Sequence, residues 1–367
     1  MPKEKVGKSE KKLWQKILKG ILIAVVAVVA AVVIFLIVMT IAEFKPEDEE
    51  AVTIEGDYSK DLKVGDSLDV MSWNIGYGAL GADADFFMDG GKDVMSSTTE
   101  TVHDNLAGIS KEINAKNPDI ILLQEVDTDS KRSHNVNEYS ELAGLINGYQ
   151  STFAYNYVCL YVPYPMPPIG KVNCGIATFS KYGIDESTRI ALPCPFTWPM
   201  RLANLKRCVD VNRISLDGSD KELVVVNLHL EAYDDGEGKI LQTAMLKDIL
   251  QKEYEAGNYV IAGGDFNQTF SNVDMTNFPV LGDNWQAGII DVNDFGEDFT
   301  LIMDDSQASC RLLDKPFRGA DPESVQYYVI DGFIVSNNIS INEMSTIPLQ
   351  YENSDHNPIV MNITLNE

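Results

Sequence analysis

A layered α/β sandwich with mixed sheets, preceded by one N-terminal transmembrane helix, is the fold this sequence predicts. Three observations carry the prediction. Short β-rich apolar runs recur from residue 67 onward and alternate with amphipathic helical stretches. Two of these runs are joined by Asp217-Gly218, a hairpin signal, so antiparallel neighbours occur and the sheets are not purely doubly wound. Ahead of them lies an unbroken apolar segment, Ile21 to Ala42.

That segment holds no charge and a single hydroxyl, Thr40. At about 1.5 Å per residue, a helix of this length crosses the roughly 30 Å hydrocarbon core of a bilayer. Lys3, Lys5, Lys8, Lys11, Lys12, Lys16 and Lys19 precede it, and Glu43, Glu47, Asp48, Glu49 and Glu50 follow. This asymmetry places the N-terminus in the cytoplasm and the rest of the chain outside, as a single-pass protein of the cell membrane. Thr40-Ile41-Ala42 loosely resembles a cleavage site, but the run is longer than the apolar region of a signal peptide, which favours an uncleaved signal anchor. The expected organisation is a basic tail at 1–20, the anchor at 21–42, an acidic linker at 43–66 and one domain at 67–367.

Roughly 300 residues suffice for one large α/β domain, and no repeat or Pro/Gly/Ser-rich break divides them. The whole chain has a formal charge of −26; its first 50 residues carry eight Lys against seven Asp and Glu, which leaves −27 for the remainder. Such a field repels nucleic acid and anionic headgroups at long range, although screening over about 10 Å leaves a local basic groove free to act. Cys159, Cys174, Cys194, Cys208 and Cys310 show no CxxC spacing, which argues against a disulfide scaffold and a zinc site. One or two bridges are compatible with the sequence, which does not choose their partners.

Five apolar runs end in polar residues able to hold metal or phosphate. Leu68 to Trp73 leads into Asn74, Ile120 to Leu123 into Gln124 and Glu125, and Leu223 to Val226 into Asn227 and His229. Tyr259 to Ala262 passes through two glycines to Asp265 and Asn267, and Tyr327 to Ile330 ends at Asp331. Any one of these reads equally well as a strand stop with a turn-capping Asn or Asp. Five of them, joined by Asp355-His356 ahead of another apolar run, point to strand ends that share one polar site. Between the strands, Val102, Leu106, Ile109 and Ile113 mark one helix face, bounded by a Thr-Thr-Glu start and by Asn117-Pro118. A second helix is expected from about Lys239 to Glu255, with Ile240, Ala244 and Leu250 apolar and Gly257 as its stop.

These residue types suit phosphoester hydrolysis. A phosphate ester repels an incoming hydroxide, so the reaction needs a cation on the phosphoryl oxygens, an oriented water and help for the leaving oxygen. Mg²⁺ takes one or two carboxylates and keeps several waters; Glu125 beside Gln124, with Asn74 on another strand end, is a sparse hard-oxygen set of that kind. Asp265 follows two glycines that allow close approach of a ligand, and could orient or deprotonate water while Asn267 holds a phosphate oxygen. His356, kept protonated by Asp331, could stabilise charge on phosphorus, and His229 could donate to another phosphoryl oxygen.

Ser72-Trp-Asn-Ile75, Leu123-Gln-Glu-Val126, Asn227-Leu-His-Leu230, Gly264-Asp-Phe-Asn267, Ile330-Asp331 and Ser354-Asp-His-Asn-Pro358 resemble, in this order, the signature blocks of the endonuclease/exonuclease/phosphatase superfamily. The resemblance spans about Leu68 to Leu365. It implies a four-layer sandwich with two central mixed sheets and Mg²⁺-dependent hydrolysis by in-line attack of water, with Mn²⁺ as an alternative ion. By the same resemblance Glu125 is the principal metal ligand, with Asn74 helping to order the metal site and Asp355 near the metal or the leaving group. Asp265 positions water, Asn267 contacts phosphate, His229 stabilises the transition state and Asp331 orients His356.

The resemblance is weakest between about Tyr155 and Lys206. There Pro195-Phe-Thr-Trp198 with Arg201, Lys206 and Arg207 forms an aromatic and basic loop that could approach headgroups or stack bases, and Arg201 and Arg207 are the substrate-binding candidates. The competing reading is a buried Pro/aromatic connection. An anchored acidic domain favours a phospholipid headgroup or another small phosphodiester over nucleic acid. A cell-surface nuclease and a non-catalytic tethered binding domain are the alternatives. The membrane is the expected partner, and no protein partner is expected.

Overall fold

Period-two alternation lets each central strand feed two cores. Val70 and Leu122 point to one side of their sheet and Met71 and Ile121 to the other, and all four are fully buried. The computed structural model describes residues 3–234 and 236–367. Helix α1 covers Lys3–Ile41. The strands that follow are β1 Glu49–Ala51, β2 Ile54–Gly56, β3 Ser67–Asn74, β4 Ile120–Asp127, β5 Gln150–Val162, β6 Gly170–Ser180, β7 Glu186–Ala191, β8 Cys208–Ser215, β9 Glu222–His229 and β10 Tyr259–Asp265. Two short strands, β11 Gln268–Phe270 and β12 Gly288–Ile290, pair with each other, as do β14 Cys310–Arg311 and β15 Tyr327–Tyr328. The remaining strands are β13 Phe299–Ile302, β16 Asp331–Ser336, β17 Ile339–Thr346 and β18 Ile359–Leu365.

Two seven-stranded mixed sheets result. One runs β1-β7-β8-β9-β10-β16-β13, the other β17-β18-β3-β4-β6-β5-β2. Leu68, Val70 and Leu122 of the second sheet meet Leu223, Val225, Ile261 and Phe333 of the first in a shared core, so the sheets stack face to face. Helices α2 (Thr99–Lys116) and α3 (Glu138–Leu145) cover the outer face of the second sheet, where Val102, Leu106, Ile109 and Leu142 pack on Met71, Trp73 and Ile121. Helix α4 (Glu237–Glu255) covers the first through Leu246 and Leu250. This is the four-layer sandwich.

The second helix turns differently from the expected one: it buries Gln242, Leu246 and Leu250, while Ile240 and Ala244 face outward. Gln242 is drawn inward because its amide oxygen accepts from the Glu231 backbone at 2.9 Å and its NH₂ donates to the Pro193 carbonyl at 2.9 Å. The α2 ends match the sequence signals, with Thr98 accepting from the Thr101 N–H and Asn117 closing the helix in the left-handed region.

The seam between the sheets is partly polar. Asp210 on β8 accepts from Thr152 on β5 at 2.8 Å, Thr178 on β6 at 2.9 Å and Ser187 on β7 at 2.9 Å. Gln124 on β4 donates to Asn227 on β9 at 2.9 Å. These bonds satisfy groups that would otherwise be stranded, and they fix how one sheet lies on the other.

Two expectations change. The stretch at 43–66 is not a free linker: β1 pairs with β7 (Glu49↔Ile190) and β2 with β5 (Ile54↔Thr152), so it closes one edge of each sheet. The physical reason is that Val52 and Ile54 bring apolar side chains to edges whose backbone groups need partners. Asp331 opens β16 instead of ending a strand. Because β16 runs antiparallel to β10, its first residue lies opposite the last residue of β10, Asp265. The five cysteines are all unpaired.

Candidate active site

Strand direction gathers the site. β3 and β4 are parallel neighbours with Asn74 level with Gln124, and β9 and β10 are parallel neighbours with His229 level with Asp265. Both pairs end at the same side of the sandwich, one from each sheet.

Glu125 sits in a β-bulge, where the β4–β6 register shifts between Leu123 and Val126, and its φ is 55°. The extra residue lets Gln124 turn into the sheet seam while Glu125 faces the cavity at the strand ends. Asn74 bridges the sheets: its amide NH₂ donates to Asp265 Oδ2 at 3.0 Å and to Glu125 Oε1 at 3.3 Å, and its oxygen accepts from the Gly76 N–H at 3.0 Å. The Asn267 N–H donates to Asp265 Oδ1 at 2.8 Å, and the Asn267 side-chain amide donates to the Leu230 carbonyl at 2.9 Å. The second amide hydrogen of Asn267 has no hydrogen-bond partner among the described residues.

His356 Nδ1 donates to Asp331 Oδ2 at 2.8 Å, and Trp73 Nε1 holds the His356 carbonyl at 2.9 Å. His229 Nε2 lies 3.4 Å and His356 Nε2 3.8 Å from Asp265 Oδ2. One carboxylate therefore has an imidazole on either side. The electrostatics separate the two histidines. Burial is the largest single effect and works against a charged His356, but the charge and hydrogen bond of Asp331, joined by Cys310, together hold that imidazole well above its usual value. Burial pushes His229 well below its usual value, with the positive charges of Arg207 and His356 adding to the effect. Asp265 is pushed up to about 7 by burial and then by Asp331, with His356 opposing. These are environments that set an acid apart from a base.

Glu125, His229, Asp265, Asn267, Asp355 and His356 all line one cavity of about 670 Å³. The acidic corner of this cavity offers oxygen donors of the kind a divalent ion takes. Burial, with the charge of Glu125 adding, raises Asp355 to about 7 against the opposing positive charges of His356 and Arg311, and Asp355 and Glu125 present two hard-oxygen acids to the same cavity. A Cβ at Gly76 would fall 2.8 Å from Asp355 Oδ1, so the bare backbone keeps that corner open. Two other groups, Asp265–Asp331–His356 and Cys310–Asp355–His356, have ligand atoms within 4.8 Å of one another. They suit a metal less well, because His356 is held charged by Asp331 and burial pushes the Cys310 thiol up to about 12.

The structure does not bring Arg201 into this group. Its guanidinium pairs with Glu43 at 3.1 Å, where the end of α1 presents a buried carboxylate. Arg207 does line the cavity, but it donates to the His229 carbonyl at 3.1 Å and pairs with Glu231 at 3.4 Å, so it braces the His229 backbone. Sequence reasoning missed Arg132, which lines the cavity, binds Asp127 through two bonds of 3.0 and 2.9 Å and lies 3.8 Å over the Tyr77 ring. Its signal was Asp127 two residues beyond Glu125, followed by Lys131-Arg132. Phe35, Leu36 and Met39 of α1 also line the cavity. Nothing in an all-apolar run sets them apart.

The sequence pattern of the endonuclease/exonuclease/phosphatase family matches residues 71–339. The chain belongs to that family. Its members are phosphoester-hydrolysing enzymes, they generally work with divalent metal ions, and this chain is such an enzyme. No curated protein matches the sequence. Three solved structures share the family fold. An endonuclease/exonuclease/phosphatase from Beutenbergia cavernae DSM 12333 is 18% identical, with 82% of this chain and 72% of that chain covered and a TM-score of 0.56. A family protein from Bacteroides thetaiotaomicron is 16% identical over 83% of this chain and 99% of its own, with a TM-score of 0.51. A functionally unknown conserved protein from Enterococcus faecalis V583 is 12% identical over 82% of this chain and all (100%) of its own, also at 0.51.

Proposed function

We propose that this family member is an anchored, extracytoplasmic phosphodiesterase that uses Mg²⁺, with Mn²⁺ as a substitute, and acts on a phospholipid headgroup or similar small phosphodiester. The observation that carries the reading is the junction of the two sheets, where Asn74 touches both Glu125 and Asp265 and two imidazoles flank Asp265. Glu125 and Asp355, with Asn74 beside them, would hold the ion, which supplies positive charge against the phosphoryl oxygens.

Asp265 orients a water in line with phosphorus and accepts its proton as the new P–O bond forms and the bond to the leaving oxygen breaks, the leaving oxygen taking a proton from solvent. The Asn267 backbone N–H keeps one carboxylate oxygen turned inward, leaving the other facing the histidines. His356, charged and held by Asp331, donates from Nε2 to the phosphoryl group where negative charge builds. Neutral His229 donates to a second phosphoryl oxygen, and Arg207 on its carbonyl fixes its place. The second amide hydrogen of Asn267 holds substrate phosphate. In this reading residues 67–367 are the catalytic domain and α1, one helix long and apolar enough to cross a membrane among the described residues, is its anchor.

The test is a substrate panel offered to intact cells carrying the full-length protein and to the same protein in detergent. Sphingomyelin, glycerophospholipid, single- and double-stranded DNA, RNA and a phosphomonoester form the panel, each with Mg²⁺ or with chelator. Mg²⁺-dependent lipid turnover should exceed every nucleic-acid rate and should be visible on intact cells. Faster nucleic-acid cleavage would replace the lipid reading with a nuclease, and activity that appears only after lysis would reverse the orientation.

A further inference from the structure

The catalytic cavity does not end at its polar floor. It extends along an apolar wall to the last turns of α1, where Phe35, Leu36 and Met39 line the same space as Asp265 and His356. Met39 is 4% exposed, whereas the apolar residues around it, Ile34, Ile37 and Val38, remain open on the lipid-facing side of the helix. The helix end is also fixed in place. Thr40 accepts from Trp198 Nε1 at 3.2 Å, and Glu43 takes Arg201 at 3.1 Å and Lys206 at 3.4 Å. Six residues after Glu43, β1 adds to a sheet edge, so little slack separates membrane and domain.

The loops beside this wall carry large exposed apolar side chains. Tyr164 is 67% and Met166 86% exposed between β5 and β6, and Trp198 and Met200 are exposed between β7 and β8. Tyr161 meets Phe35 edge to face with ring centroids 6.2 Å apart, which ties that rim to α1. An apolar rim of this kind around a site marks a surface made for a partner or a membrane, and aromatic residues prefer the interfacial depth where a transmembrane helix ends.

We propose that α1 is a wall of the substrate site as well as an anchor: a phosphodiester lipid from the surrounding leaflet enters beside Phe35, Leu36 and Met39 and keeps its apolar portion against them while its phosphate reaches Asp265 and His356. The volume of about 670 Å³ lies within the range of small-molecule sites. A nucleic acid would leave this apolar end of the cavity without a partner. The inference rests on the lipid reading above and adds where the lipid lies.

The experiment uses full-length protein in phosphatidylcholine vesicles containing sphingomyelin, with a water-soluble aryl phosphodiester as the second substrate. Met39→Trp fills the wall, and Ile34→Trp places the same bulk on the lipid-facing side. The ratio of lipid to aryl kcat/KM should fall by about tenfold or more in Met39→Trp and stay within about twofold in Ile34→Trp, since a filled pocket penalises the substrate that occupies it. Wild-type lipid turnover with an unchanged ratio in Met39→Trp would overturn the wall, as would an equal fall in Ile34→Trp. Wild-type protein that cleaves the aryl ester but neither vesicle lipid would remove the lipid reading itself and this inference with it.

Discussion

Replacing Asp265 with Asn should lower kcat on an aryl phosphodiester by about 10²–10⁴, the range for a positioned proton acceptor, without lowering Tm. The amide keeps the shape of the carboxylate and its bond from the Asn267 N–H, but it cannot take a proton from water. Stability should hold because two effects offset: burial and Asp331 raise the pKa of this carboxylate despite His356, so its charge is a cost to the fold that the substitution removes, while the bond from the Asn74 amide is lost. KM should change little. Near-wild-type turnover would take Asp265 out of the mechanism, and a collapse of Tm would make its role structural.

Gly264→Ala should be the most damaging single change to folding. A Cβ there would meet the Leu228 carbonyl oxygen at 1.9 Å, and the residue has φ +151°. Backbone atoms of paired strands cannot step aside as a flexible side chain can, so β9 and β10 must separate at the point that places His229 beside Asp265. The expected cost is on the order of 4 kcal/mol or more, at the severe end for single substitutions. Gly218→Ala in the Asp-Gly hairpin is the comparison: φ is +78° there and nothing lies within 4 Å of the added carbon, so the cost should be only about 1–2 kcal/mol from left-handed strain. Thermal unfolding of the two variants side by side measures the difference, and equal Tm values would contradict this account of the β9–β10 contact.

The sheets were legible where side-chain chemistry alone decides. Ile120 to Leu123 and Leu223 to Val226 could only be buried strands, and both are fully buried. What depends on pairing between distant segments was not legible. Asp331 reads as a strand end in one dimension; only the antiparallel pairing of β16 with β10 makes it a beginning that reaches the same site. Residues 43–66 are acidic enough to pass for a linker, and the edges they complete belong to strands more than ninety positions away.

The candidate site divides in the same manner. Glu125, His229, Asp265, Asn267, Asp355 and His356 were nameable because polar residues at the ends of apolar runs are conspicuous, and they line one cavity. Arg201 was misplaced because its partner Glu43 lies 158 residues earlier, where sequence suggests only a flank of the membrane helix. The bulge that aims Glu125 and the helix face that lines the cavity leave no trace in composition.

The account rests on acids from both sheets acting with a divalent ion, and the direct measurement is turnover of an aryl phosphodiester by full-length protein against free Mg²⁺, for wild type and Glu125→Gln. Wild type should be inactive in chelator and recover along a saturable curve. Glu125→Gln should need about tenfold or more Mg²⁺ for half-maximal rate, since a neutral amide replaces a charged oxygen ligand. Undiminished turnover in chelator, or coincident curves for the two proteins, would contradict it.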